Sequence, residues 1–166
     1  SLINNKFKLN KLVLMKANLF KKYRRCVGIM IINKEKKILV GKRIDHPSGF
    51  WQMPQGGIDE NENPEEAVRR EMMEEIGTNK AELIKVSSQW INYNIPLETL
   101  KTLPWGNKYI GQSQKWFAFK FTGQDSDINV DTKNPEFSEW KWAKMDSIIS
   151  NIVPFKRDVY SKILEE

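Results

Sequence analysis

Residues 56–77 read Gly-Gly-Ile-Asp-Glu-Asn-Glu-Asn-Pro-Glu-Glu-Ala-Val-Arg-Arg-Glu-Met-Met-Glu-Glu-Ile-Gly, and this stretch decides the fold. Its middle carries the signals that start a helix. Asn63 can cap, Pro64 fits the first helical position, and Glu66 follows three residues after the cap. Glycine commonly ends a helix in the left-handed conformation. The stretch therefore predicts one helix that begins at Pro64 and ends before Gly77.

The second half of this helix carries acidic residues in an unfavourable arrangement. Glu71, Glu74 and Glu75 stand at i, i+3 and i+4, which places three carboxylates on one face. Like charges at this spacing repel, and carboxylates near a helix C-terminus oppose the helix dipole. Taken alone, the pattern favours a solvent-exposed acidic face. With its surroundings it indicates a site for a hard divalent cation such as Mg²⁺, which prefers oxygen ligands.

The surroundings follow a long, fixed spacing. Its fixed positions are Gly56, Glu62, Arg70, Glu71, Glu74, Glu75 and Gly77. This pattern resembles the Nudix box, with every charged position and both glycines in register. Thr78 departs from it, because the family usually has an aliphatic residue there, and we expect at most a small loss of stability. The resemblance implies an α/β (α+β) fold, an α/β/α sandwich with a mixed β-sheet between helices.

The resemblance also implies roles for the charged residues. The metal ligands would be the carboxylates of Glu71, Glu74 and Glu75, the backbone carbonyl of Gly56, and Glu136. The metal would be Mg²⁺, with Mn²⁺ or another divalent cation as the alternative. Arg70 joins the catalytic set through an ion pair with Glu62 that orients loop and helix. Two carboxylates, Glu74 and Glu136, are candidates for the residue that activates or positions water.

Other catalytic arrangements have few residues to draw on. His46 is the only histidine, and its neighbours Pro47 and Gly49 indicate a solvated loop. A nucleophile activated by histidine therefore has little support here.

The rest of the chain predicts strands on both sides of the helix. Apolar and β-branched runs predict strands at Arg25–Asn33, Ile38–Arg43, Leu83–Tyr93, Lys115–Phe121 and Phe137–Trp142. A C-terminal helical region is expected from Met145 onward, and Pro154 should end or kink it. Strands that flank two helical segments indicate a layered α/β or α+β domain.

The region from Tyr23 to Ile163 resembles one branch of the family, the bacterial RNA pyrophosphohydrolases, which are similar to plant-type diadenosine tetraphosphate hydrolases. The stretches that carry this resemblance are Trp51 to Gly57, Gly111 to Phe117, Pro135 to Phe137 with Trp140 and Trp142, and Phe155 to Tyr160. It implies removal of pyrophosphate or phosphate from the 5′ end of triphosphorylated RNA. The alternatives are a dinucleoside polyphosphate hydrolase of nucleotide metabolism and a non-catalytic RNA- or nucleotide-binding module.

Five further residues are implied to bind substrate. Arg24, Arg43 and Lys115 would hold phosphates, and Tyr93 and Phe155 would stack on the terminal bases. Each has a plainer interpretation as well, such as an arginine that merely ends a solvent-facing strand. Residue 25 is a departure, because the branch commonly has proline after the phosphate-holding arginine and this chain has a second arginine.

Chain length and the distribution of charge indicate how the domain is organised. The chain has 166 residues, which suits one domain, and a net charge of +6. Residues 1–34 hold nine of the 27 basic residues and none of the 21 acidic ones. We therefore expect a basic N-terminal extension over 1–22, partly disordered, followed by a Nudix hydrolase domain over 23–166. Met15 is one candidate for the natural start.

The basic extension can attract nucleic acid or an anionic lipid surface, and a solvated leader is the plainer alternative. No apolar stretch approaches the ~20 residues needed to span a bilayer, so no membrane role is predicted. Cys26 is the single cysteine, which excludes an internal disulfide and is consistent with a reducing compartment. We expect a cytoplasmic enzyme, most simply a monomer.

Overall fold

Eight strands form one mixed sheet in a computed structural model of the chain, which describes residues 2–10, 22–45, 49–152, 156–157 and 160. The strands are β1 (Lys22–Ile32), β2 (Ile38–Arg43), β3 (Trp51–Gln52), β4 (Gln55–Gly57), β5 (Ala81–Val86), β6 (Ile91–Asn94), β7 (Tyr109–Phe121) and β8 (Phe137–Ala143). Five strands follow the order β3-β2-β1-β7-β5, while β4 pairs with β1, β6 with β7 and β8 with β2. Strands β1 and β7 are parallel, and the other pairs are antiparallel.

Helices cover both faces of this sheet. These helices are α2 (Pro64–Ile76), α3 (Leu97–Leu100) and α4 (Ile148–Asn151), with 3₁₀ turns at Asp125–Asp127 and Met145–Ser147. A further helix, α1 (2–10), has exposed side chains. Helix α2 packs on one face, where Val68 and Met72 meet Phe117. Residues near α3 and α4 pack on the other face, where Leu100 and Ile148 join a second core. The predicted mixed sheet between helices is therefore confirmed.

Strand β1 is the centre of the sheet because both of its faces are buried. The six residues from Cys26 to Ile31 are all buried, and each hydrophobic side chain among them is at most 8% exposed. Val27, Ile29 and Ile31 face α2, whereas Met30 joins the core on the opposite face. A continuous apolar run is typical of a strand covered on both sides.

Helix α2 begins and ends as the sequence predicts. The side chain of Asn63 accepts a hydrogen bond of 2.9 Å from the backbone N–H of Glu66. Gly77 adopts the left-handed conformation with φ of 72°, and its N–H donates to the carbonyl of Met73. These local signals fix both ends of the helix that carries the three glutamates.

Several elements differ from the sequence-based expectation. The segment predicted as one strand over Leu83–Tyr93 forms two strands, β5 and β6. The chain turns between them, where the hydroxyl of Ser87 donates a hydrogen bond to the carbonyl of Gln89. Strand β7 begins at Tyr109 rather than Lys115, since its polar first half pairs with both β1 and β6. Strands β3 and β4 and helix α3 were not predicted.

The two ends of the chain are described in part. Residues 2–10 are helical, with exposed side chains, and residues 11–21 lie outside the described residues, so the predicted extension stays a prediction. The helical region expected from Met145 starts there as a 3₁₀ turn and continues as α4, while Pro154 and Phe155 lie outside the described residues. None of the described helices is both long enough and apolar enough to cross a bilayer.

Candidate active site

A cleft of about 680 Å³ lies beside the C-terminal half of α2. One side is acidic, with Glu71, Glu74 and Glu75 from α2 and Glu136 from the loop before β8. The other charged side has Arg24 and Arg43. The remaining lining residues are Asp45, Gln52, Gln55, Gly56, Gly57, Met73, Leu103, Pro104, Trp105, Gln112, Thr132, Lys133 and Asn134.

Two of the carboxylates are buried. Glu71 and Glu75 are 9% and 6% exposed, and the N–H of Gln55 donates to Glu75 at 3.2 Å. Burial raises the pKa of Glu71 to about 7, although the nearby Arg70 guanidinium opposes the shift. Burial, with Glu71 and Glu136 nearby, raises the pKa of Glu75 well above the usual range. Buried carboxylates with raised pKa values mark negative charge that the protein alone does not fully compensate.

The glycine of β4 makes this arrangement possible. The carboxylate of Glu71 rests directly against Gly56, and any Cβ atom at position 56 would collide with it. Because β4 pairs with β1, the backbone of Gly56 is held in the sheet. The glycine therefore lets a carboxylate approach the backbone closely.

Arg70 connects the helix to the preceding loop. Its Nε donates to Glu62 at 2.8 Å and one terminal nitrogen donates to the carbonyl of Gly57 at 2.8 Å. Its other terminal nitrogen donates to Glu71 at 2.9 Å and to Glu74 at 3.1 Å. The predicted ion pair between Arg70 and Glu62 is thus present. Arg70 contacts the carboxylates that are expected to hold metal, so it can position them.

The donor atoms of the acidic side suit a hard cation. Only oxygen donors stand on this side, and Mg²⁺ prefers oxygen ligands. Among the described residues, no three Asp, Glu, His or Cys side chains already converge as a metal-binding group. One terminal nitrogen of Arg70 donates to both Glu71 and Glu74 and so stands between these two carboxylates. The chemistry of the donors and the buried charge both fit a divalent cation.

The two candidates for the water-activating carboxylate are both accessible. The side chains of Glu74 and Glu136 are 57% and 55% exposed. Glu136 precedes β8, and its carboxylate lies 3.9 Å from the guanidinium of Arg43. Both side chains line the cleft, so either carboxylate can be the one that activates water.

The basic side consists of arginines that already have partners. Arg24 stacks over the ring of Trp105 at 4.9 Å and lies against Gly57. Arg43 donates two hydrogen bonds, of 2.7 and 2.6 Å, to the carboxylate of Asp45. The structure therefore brings these two predicted phosphate-binding residues to the cleft that contains the glutamates.

Two other predicted substrate contacts do not reach the cleft. Tyr93 is 7% exposed, its ring belongs to the core, and its hydroxyl donates to Gln112. Lys115 lies on the opposite face of β7 from Gln112, because side chains alternate along a strand. Its ammonium instead lies 5.8 Å from the ring of Trp90. Phe155, the fifth residue in this set, lies outside the described residues.

A polar layer beneath the cleft was not predicted from the sequence. Gln114 donates to Gln55 at 2.9 Å, and Gln55 and Tyr93 both donate to the side-chain oxygen of Gln112. These glutamines lie in stretches that carried the family resemblance. That resemblance was the only feature of the sequence that could have marked them as part of the site. The aromatic residue Trp105 gave no periodic signal, because it lies in the segment between α3 and β7.

Two residues near the C-terminus contact the segment that precedes Gly56. The hydroxyl of Tyr160 accepts a hydrogen bond of 2.9 Å from the backbone N–H of Met53. The ammonium of Lys156 lies 3.4 Å from the side-chain oxygen of Gln52, and burial lowers its pKa to about 7. These contacts act on Gln52, the last residue of β3, and on Met53, the next residue, and so help to hold the chain that leads to Gly56.

The sheet, the glutamate helix and the two-sided cleft together define a Nudix-type hydrolase. The family model described as NUDIX domain matches residues 22–163. The chain belongs to the NUDIX family.

Three relatives within this family are identical to the chain at about half of the aligned positions. The chain is 49% identical over 147 residues to the RNA pyrophosphohydrolase of Wolbachia pipientis subsp. Culex pipiens (strain wPip), covering 88% of this chain and 90% of that protein. It is 51% identical over 144 residues to the RNA pyrophosphohydrolase of Rhodospirillum rubrum, covering 87% and 86%. The corresponding Rickettsia bellii protein is 48% identical over 151 residues, covering 91% and 93%.

Solved structures share the fold at lower identity. The Escherichia coli dihydroneopterin triphosphate pyrophosphohydrolase has a TM-score of 0.62 at 18% identity, covering 87% of this chain and 99% of that one. A Caenorhabditis elegans Ap4A hydrolase has a TM-score of 0.58 at 18% identity, covering 83% and 94%. At these identities the likeness establishes the architecture alone.

Proposed function

We propose that this NUDIX hydrolase removes pyrophosphate, or phosphate, from the 5′ end of triphosphorylated RNA with the help of Mg²⁺. One observation carries the proposal. A cleft with carboxylates on one side and two arginines on the other occurs in a chain about half identical to proteins named RNA pyrophosphohydrolase. Such a cleft suits a substrate whose reacting part is a chain of phosphates.

The acidic side would hold the metal. Glu71, Glu74, Glu75, Glu136 and the carbonyl of Gly56 are the proposed ligands, with Mn²⁺ or another divalent cation as the alternative ion. A bound divalent cation neutralises the diphosphate, polarises phosphorus and lowers the pKa of water. Arg70 keeps Glu71 and Glu74 beside the loop, through the bonds it makes to both and to Gly57.

The basic side would bind and orient the phosphates. Arg24 and Arg43 present planar guanidinium groups, which bind phosphate oxygens through paired hydrogen bonds. Either Glu74 or Glu136 would accept a proton from the attacking water, since both carboxylates are accessible in the cleft. Base stacking by Phe155 remains a prediction. The cytoplasm is the location that fits an RNA substrate and a free cysteine at position 26.

The alternative is a dinucleoside polyphosphate hydrolase. The same two arginines and the same carboxylates would serve such a substrate, which also presents a phosphate chain between nucleosides. A side-by-side competition separates the two. With Mg²⁺ present, a short 5′-triphosphorylated RNA and diadenosine tetraphosphate are compared by kcat/KM.

Each outcome of the competition has a defined meaning. A strong preference for RNA supports RNA 5′-end processing, whereas a preference for the dinucleotide moves the enzyme to nucleotide metabolism. If neither substrate is hydrolysed, the proposed activity is wrong and the non-catalytic binding module becomes the better hypothesis.

A further inference from the structure

A cluster of cations and one indole lies outside the cleft. The guanidinium of Arg25 stacks over the ring of Trp90 at 4.7 Å, and the ammonium of Lys115 lies 5.8 Å from the centre of the same ring. Arg25 is exposed, and the other two are half-buried. We call these three residues, Arg25, Trp90 and Lys115, the Trp90 patch.

The patch lies on the reverse face of the strands that line the cleft. Arg24 and Gln112 are register partners on β1 and β7, and both line the cleft. Their successors, Arg25 and Ser113, are also partners and point the other way, because side chains alternate across a sheet. Lys115 follows on that second face.

Helix α2 covers this second face only in part. From Val27 onward the face is buried against α2, and Val27 has no exposed surface. Arg25 stands before that point on β1, and Lys115 pairs with Val27 at the border of the covered region. The Trp90 patch therefore occupies the uncovered part of this face, near the start of β1 and the middle of β7.

The charge of the patch is not neutralised by nearby acids. Among the described residues, no carboxylate forms an ion pair with Arg25 or Lys115. The neighbouring strand residues on this face, Asn92 and Ser113, are neutral. The loop that follows β4 contains Asp59, Glu60 and Glu62. The carboxylates of Asp59 and Glu62 pair with Arg70, at 3.4 and 2.8 Å, and among the described residues Glu60 forms no ion pair with the patch.

We infer that the Trp90 patch binds the phosphate backbone of RNA nucleotides that lie downstream of those held in the cleft. Surfaces that bind single-stranded nucleic acid combine basic and aromatic side chains, as this one does. The indole holds the two cations in place, which reduces the loss of side-chain freedom when a phosphate binds. Arg24 and Arg25 are consecutive residues whose side chains point from opposite faces, so an RNA strand held at Arg24 would have to turn around the start of β1 to reach Arg25.

This inference rests on the proposed RNA substrate, and substrate length tests it separately. The Arg25→Ala/Lys115→Ala double variant is compared with wild type on a 5′-triphosphorylated dinucleotide and on an RNA of roughly twelve nucleotides, a length in the range of single-strand binding sites. For the longer RNA we expect KM to rise by about two- to thirtyfold with kcat maintained. The salt dependence of log KM should become shallower by about 0.7 for each lost phosphate contact. The effect should be confined to the longer RNA.

Lys141 supplies the matched control, because its ammonium lies 4.1 Å from the ring of Trp51 on a different pair of strands. Lys141→Ala removes the same kind of contact and should leave the KM of both RNAs unchanged. An equal rise in KM for both RNAs in the double variant, or no rise for the longer one, would overturn the inference. If wild type hydrolyses diadenosine tetraphosphate but neither RNA, the proposed function fails and the inference fails with it.

Discussion

The acidic and basic sides of the cleft differ in how far their charges are already satisfied. On the acidic side, Glu71 and Glu75 are buried and have raised pKa values. On the basic side, Arg43 forms two bonds to Asp45 and Arg24 stacks on Trp105. The acidic side would therefore gain stability from a cation. On the basic side, Arg43 must exchange Asp45 for a phosphate, whereas Arg24 can stay stacked on Trp105.

Removing one charge from the acidic side gives the largest expected effect. We predict that Glu75→Gln lowers kcat by about 10²- to 10⁴-fold, because the amide cannot supply the negative charge that a metal requires. Stability should be maintained or increased, since a buried charge is replaced by a neutral group of similar shape. Steady-state kinetics and thermal unfolding measure the two effects.

Glu65→Gln is the matched control for that variant. Glu65 lies in the first turn of the same helix, is exposed and does not line the cleft. It should keep the kcat of wild type. Near-normal turnover by Glu75→Gln would show that the metal ligands are assigned incorrectly.

The raised pKa values predict a pH-dependent response to the cation. The ordinary pKa of Glu71 is 4.5 and its folded value is about 7, so the folded protein binds more protons than the unfolded chain between these values. Without metal, the contribution of Glu71 to stability should therefore fall as the pH rises through this window. Mg²⁺ binds the ionised form, so it should stabilise the protein more at about pH 7.5 than at about pH 5.5.

Thermal unfolding with and without Mg²⁺ at the two pH values tests this linkage. At a concentration about 100 times the Kd, binding contributes about 2.7 kcal/mol. For a chain of this size that corresponds to a rise in Tm of roughly 5–10 °C. The same rise at both pH values would contradict the linkage, and Glu75→Gln should show a smaller rise at the higher pH.

The acidic side was predictable from sequence because its determinants are local. Asn63 and Gly77 cap α2, and the spacing of its glutamates along one helix fixes which of them share a face. The basic side depends on strand register instead. The predicted strand began at Lys115, so the alternation that places Lys115 and Gln112 on opposite faces could not be applied to this pair. Nothing local showed that Tyr93 is buried against the same glutamine.

Two features of the fold escaped the sequence analysis for related physical reasons. The first half of β7 is polar, because its glutamines form hydrogen bonds below the cleft, so it lacks the apolar alternation that predicts a strand. Trp90 and Trp105 are single aromatics whose partners, Arg25 and Arg24, are distant in sequence. Only the folded chain shows that two consecutive arginines stack on different indoles on opposite faces.

On the basic side, the geometry of the guanidinium should matter as well as its charge. We predict that Arg24→Ala lowers kcat/KM by about ten- to a hundredfold, because a phosphate-binding group is lost. Arg24→Lys should recover only part of this, since an ammonium neither binds phosphate through a fork nor stacks on Trp105 as a plane. Full recovery in the lysine variant would show that charge alone is sufficient.

The smallest expected effect tests whether the pairing on the basic side limits binding. Asp45 occupies both donor directions of Arg43, at 2.6 and 2.7 Å, so a phosphate must compete with it. Asp45→Asn keeps the side-chain shape but removes the charge, and an exposed ion pair of this kind contributes about 0.2–1 kcal/mol. We therefore expect KM to fall by roughly two- to fivefold with kcat unchanged. A rise in KM would mean that Asp45 orients Arg43 for the phosphate, and the basic side would then be preorganised by its partner.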